Sequence, residues 1–175
     1  MEAPLIQYAR TAEGASIAYL KVGQGAPIIF ASNVWGDAHL YSASEPYIRK
    51  ITDSLAAFGY QVILYDGRGM GSSDREVADF SLEARKRDLA AVVAKVGFDQ
   101  FVLAAYDIAG PTAIAYAVEA AAHVSRLVLL NSNASTAMRR QASPSLRTLR
   151  SPEGSTPDEW EFRDPDAGEH RYELR

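Results

Sequence analysis

The sequence predicts an α/β fold, a mostly parallel sheet with helices on both faces. Three observations lead there. Several short runs are apolar at every position rather than at alternate ones: Ile28-Ile29-Phe30-Ala31, Val62-Ile63-Leu64, Phe101-Val102-Leu103-Ala104 and Leu127-Val128-Leu129-Leu130. Such a strand is covered on both faces, as in a parallel sheet. Helical spacing of apolar residues separates these runs, and strand–helix alternation builds right-handed crossovers. Gly59 and Gly97 then stand where two of the helices should stop.

Taken in order, Ile6 to Thr11 and Ser16 to Val22 read as two strands of a hairpin turning at Glu13-Gly14. Gly23-Gln24-Gly25 breaks the pattern, and Pro27 leads into the strand Ile28 to Ala31. A helix is predicted from Glu45 to Phe58, capped by Ser44, with Pro46 in its first turn and Ile48, Ile51, Leu55 and Phe58 on one face. Gln61 to Tyr65 is the next strand. The helix Ser81 to Val96 should bury Leu82, Leu89, Val92, Val93 and Val96. Phe101 to Ala105 is a strand, Ile108 to His123 an alanine-rich helix with Ile114, Ala117, Val118 and Ala121 on one side, and Arg126 to Leu130 the last strand.

A chain of 175 residues suffices for one domain with a substantial core. Its 47% hydrophobic and 23% charged residues are ordinary for a globular protein. A net charge of −4, with basic residues interleaved among acids, argues against nucleic acid as a partner. There is no cysteine, hence no disulfide, thiol nucleophile or thiolate metal site. His39, His123 and His170 are too scattered to suggest a metal, and no cofactor is implied. No apolar run approaches membrane-spanning length, and Met1-Glu2-Ala3-Pro4 lacks the pattern of a signal peptide, so a cytoplasmic protein is expected.

Two parts are expected: a core over 1–135, and a polar tail or partial lid over 136–175. The C-terminal part carries Pro144, Pro152, Pro157 and Pro165 with few aliphatic residues, and only Thr136 to Leu149 offers any helical pattern.

Chemistry concentrates at Ala105-Tyr106-Asp107-Ile108-Ala109-Gly110. A buried strand, a sharp turn between small residues and a helix start make a nucleophile elbow. The turn residue is strained, and bulky neighbours two positions away on either side would collide with it. The turn position, usually Ser, is Asp107 here. Another element is the loop Asp66-Gly67-Arg68-Gly69-Met70-Gly71-Ser72-Ser73. Its glycine spacing is wrong for a dinucleotide loop and no helix follows it, so a structural turn is the better reading.

Together the elbow and this loop resemble the α/β-hydrolase superfamily over roughly residues 1–133. The loop is similar to the Asp-x-Arg-Gly-x-Gly-x-Ser segment that follows the fourth strand of that fold. The opening, Tyr8 to Tyr19, also resembles hydrolase modules found beside class III adenylate cyclases. An Asp elbow is similar to those of epoxide hydrolases and dehalogenases rather than esterases, because a carboxylate attacks saturated carbon whereas an ester would force an anhydride. The resemblance implies a small-molecule substrate and backbone donors from Ile108 and from Ser32 or Asn33 of the loop after the third strand. That loop has Ala31-Ser32 where the family has His-Gly. Asn33 resembles the asparagine that dehalogenases aim at a leaving halide, while Trp35 and His39 stand nearby as further binding candidates.

Two readings of Asp107 stay open: a nucleophile, or a residue that merely stabilises the turn and the helix after it. The resemblance places the family's water-activating histidine after an eighth strand, and its acid after the sixth or seventh. Here the sixth is followed by Asn131-Ser132-Asn133, and the core is expected to stop at about the sixth strand. A non-catalytic binding module and an incomplete gene product are therefore the alternatives. The strand 126–130 would then be an apolar edge, inviting a homo-oligomer.

Overall fold

The computed structural model describes residues 4–31, 37–42 and 46–132. The chain divides into two units, Met1–Ala134 and Ser135–Arg175, and everything described below lies in the first. The expected tail over 136–175, with its Thr136 to Leu149 pattern and His170, lies outside the described residues, as do Ser32, Asn33, Trp35 and the cap Ser44.

Six strands form one sheet among these residues: β1 (Gln7–Arg10), β2 (Ser16–Val22), β3 (Ala26–Ala31), β4 (Tyr60–Tyr65), β5 (Phe101–Tyr106) and β6 (Val124–Leu130). The order across the sheet is β1-β2-β4-β3-β5-β6. β1 and β2 pair antiparallel around the expected hairpin, β2 joins β4 antiparallel, and β4, β3, β5 and β6 run parallel. β3 therefore has β4 on one side and β5 on the other, so the winding reverses between β3 and β5. A crevice opens beyond the carboxyl ends of the strands at such a reversal.

The helices are α1 (Asp37–Ser42), α2 (Pro46–Ala57), α3 (Leu82–Val96) and α4 (Gly110–Glu119). Ser81 starts α3 by accepting the Ala84 N–H on its hydroxyl, and Gly97 ends it in the left-handed conformation (φ 72°) with its N–H on the Val93 carbonyl. α3 and α4 cover one face. Ile17, Tyr19, Ile29, Ile63, Tyr65 and Leu103 point there, against Leu89, Val92, Ala113 and Tyr116. α1 and α2 cover the other, where Leu20, Val22, Val62 and Leu64 meet Ala38, Tyr41, Ile48 and Leu55.

Three predicted faces are corrected. Phe58 follows α2 and is 81% exposed instead of buried with Ile48 and Leu55. Leu82, in the first turn of α3, is exposed, whereas the charged Lys86 and Asp88 of the same helix are buried. α4 starts two residues later than expected, after a 3-10 turn over Asp107–Ala109, and this resets its phase. Its buried residues are Gly110, Thr112, Ala113 and Tyr116, while Val118 and Ala121 are exposed.

Candidate active site

The elbow is built by β5, the turn and α4. Tyr106 is still extended (φ −121°, ψ 139°), and Asp107 then adopts φ 49°. A residue with a Cβ adopts this left-handed conformation at a cost on the order of 1 kcal/mol. The two small neighbours explain how the turn fits. Ala105 and Ala109, two positions before and two after, are both buried in the core under α4, where a larger side chain would lift the turn off the sheet. The Asp107 carbonyl accepts the Gly110 N–H, which closes the 3-10 turn, and also the Ser132 hydroxyl at 2.7 Å. Leu130 pairs with Tyr106 across the sheet, and Asn131 beyond it also has a positive φ of 48°. The elbow is thus tied to the end of β6 as well as to α4. Sequence reasoning singled out Asn131-Ser132 only as a place without a carboxylate and missed this serine brace.

Asp107 and Ile108 are both half-buried, at the carboxyl end of β5, the strand next to β3 where the winding reverses. Asp107 begins the turn that leads into α4, where a carboxylate is favoured by the helix dipole.

The loop after β4 secures the same end of the sheet. Asp66 is fully buried, and its carboxylate accepts the backbone N–H of His39 at 3.0 Å and of Ser72 at 2.8 Å. Burial pushes its pKa up against the pull of these donors. Gly71 has φ 47°, and a Cβ there would lie 2.3 Å from an Asp66 oxygen, so only glycine fits. Asp66 thereby holds the start of α1, the helix that directly follows residues 32–36. His39 lies in α1, exposed, and the structure assigns its N–H to Asp66. His123 hydrogen-bonds Asp99 through its ring, and its carbonyl accepts the Phe101 N–H at the start of β5. It is a whole strand, about 20 Å, away from Asp107.

Arg68 completes this loop as a structural residue. Its guanidinium meets Asp88 at 2.8 Å and Glu13 at 2.6 Å, and Asp88 is 1% exposed. Arg68 and Arg87 hold the Glu13 carboxyl down to about 2. Ser73 accepts the Ala18 N–H and Asp74 the Ser16 N–H, which binds the loop to the β1–β2 hairpin. These contacts tie the loop into the fold as a structural turn. Among the described residues, no group of three or more His, Cys, Asp or Glu could hold a metal ion, and no helix is long and apolar enough to cross a membrane.

With this strand order, elbow and loop, the class is defined. The model of the alpha/beta hydrolase fold family matches residues 38–169, and the chain belongs to that family. It is 28% identical over 138 residues to the AB hydrolase superfamily protein YisY of Bacillus subtilis, covering 78% of this chain and 49% of that protein. An esterase from Exiguobacterium antarcticum superposes with a TM-score of 0.64 at 19% identity, over 73% of this chain and 46% of the esterase. The haloalkane dehalogenase DatA from Agrobacterium tumefaciens gives 0.62 at 19% identity, over 75% and 42%. At these identities the two structures speak for the fold alone. The chain spans about half the length of the relatives it matches.

Proposed function

We propose that this chain is a hydrolase that acts on a small organic molecule through Asp107, with an epoxide or an alkyl halide as the substrate class. The observation that carries this is a carboxylate at the left-handed turn after β5, beside the sheet's reversal point. A carboxylate oxygen of Asp107 attacks saturated carbon, forming a C–O ester bond as the epoxide C–O or the carbon–halogen bond breaks. The halide departs, or the opened epoxide oxygen takes up a proton. The Ile108 N–H, with a backbone donor from Ser32 or Asn33, would steady developing negative charge, and Trp35 and His39 would border the bound molecule.

Hydrolysis of the ester needs a base to activate water. Among the described residues no histidine ring takes that role, and formation of the ester, which needs no such base, is the step to measure. Incubation with styrene oxide or 1-bromobutane followed by intact-mass measurement tests this. A mass increase of one substrate equivalent, the whole epoxide or the butyl group, or release of the diol or alcohol is expected. An unmodified chain that forms no product would remove the reading.

A further inference from the structure

β5 and β6 leave the sheet in step. Their parallel register pairs Ala105 with Leu129 and Tyr106 with Leu130. The next residue of each strand turns with the same hand, Asp107 at φ 49° and Asn131 at φ 48°. Among the described residues these are the two with positive φ that are not glycine. The matched turns bring the residue after Asn131 to the elbow, where the Ser132 hydroxyl donates to the Asp107 carbonyl at 2.7 Å. The same oxygen accepts the Gly110 N–H at the start of α4. A carbonyl oxygen has two lone pairs. One is engaged from the β6 side and the other from the α4 side.

We infer that Ser132 is a positioning residue for the Ile108 N–H, acting through the peptide plane that joins Asp107 to Ile108. This rests on the reaction proposed at Asp107, in which that N–H steadies developing negative charge. The Asp107 C=O and the Ile108 N–H belong to one planar trans peptide and point in opposite directions. Fixing the oxygen from two sides therefore fixes the direction of the N–H. β6 lies on one side of β5 and β3 on the other. An oxygen held by a hydroxyl from the β6 side turns the N–H toward the β3 side, where the winding reverses and a ligand is expected. A left-handed residue with a Cβ also needs its surroundings to hold it there, and Ser132 supplies that hold from outside α4. Hydrogen bonding to the carbonyl polarises the amide as well, which strengthens its N–H as a donor. The Ser132 proton is committed to the Asp107 oxygen, so its effect passes through the backbone.

The sequence contains one Asp-Ile pair, Asp107-Ile108. The full chain labelled with carbonyl-13C aspartate and 15N isoleucine therefore gives a single HNCO peak, which reports this peptide plane. In Ser132→Ala, with circular dichroism unchanged, the peak should move upfield in its carbonyl dimension as the hydrogen bond is lost. With styrene oxide, the maximal rate of ester or product formation should fall roughly tenfold while the half-saturating concentration stays the same. Ser132→Thr keeps the hydroxyl and should restore both readouts. An unmoved peak in Ser132→Ala would overturn the inference, as would a moved peak with an unchanged rate. A loss that Ser132→Thr does not recover would assign the effect to packing and overturn it too. A wild type that forms neither ester nor product would remove the reading of Asp107 and the donor role with it, and the peak alone would still decide whether Ser132 holds the plane.

Discussion

The two edges of this sheet, the short polar β1 and the largely apolar β6, end in opposite states. At the β1 edge, Ala9 and Ile17 are buried under α3, and the hairpin turn is tied down by Glu13 through Arg68 to the buried Asp88. At the β6 edge, Leu127, Val128, Leu129 and Leu130 are 37–45% exposed, on both faces of the strand. One edge is finished by charges inside the described fold, and the other by nothing among the described residues. Stability and unsatisfied surface are therefore separated along the sheet, with the elbow on the strand next to the open side.

Breaking the closed edge should cost most. Arg68→Ala strips the buried Asp88 of its partner, and a loss of about 3–5 kcal/mol is expected in urea unfolding. Next come paired truncations on neighbouring strands. Leu103→Ala on β5, fully buried, should cost about 3 kcal/mol, and Leu129→Ala on β6 only about 1. Equal losses would mean that the β6 edge is covered in solution.

The pH dependence sharpens the same contrast. Glu13 titrates near its ordinary 4.5 when unfolded and at about 2 when folded, so between those values the unfolded chain binds more protons. Its contribution is fully present above about 4.5 and is lost as the pH falls toward about 2. The urea midpoint should drop across that window in the wild type and less in Glu13→Gln. The smallest effect is expected at the elbow. Asp107→Gly relieves a left-handed residue and should raise stability by about 0.5–1 kcal/mol, offset in part by the greater freedom of glycine when unfolded.

Much of the fold is written in local pattern. The all-apolar strands, the Ser81 and Gly97 helix ends and the small residues around Asp107 each answer to a backbone rule, and each appears at or within two residues of its predicted place. What local pattern misses depends on distant partners. Lys86 and Asp88 look like surface residues of α3, but Glu119 and Arg68, which lie far along the chain, allow them to be buried. Phe58 has the right spacing for the core and lies past the helix end over a groove. In α4 the alanine-rich sequence gives little contrast between faces, so the 3-10 turn, which periodicity cannot see, decides which face is buried. At the site, Asp107 is legible because strain demands small neighbours. The brace from Ser132 is not, since it needs the register of β6 beside β5.

The proposed function rests on the carboxylate of Asp107 acting as a nucleophile. The most direct measurement is peptide mapping by tandem mass spectrometry after exposure to styrene oxide, in the wild type and in Asp107→Asn. A hydroxylamine-labile ester on the Asp107 side chain of the wild type, absent from Asp107→Asn, is predicted. Modification that falls on other carboxylates, or that persists in Asp107→Asn, would contradict it.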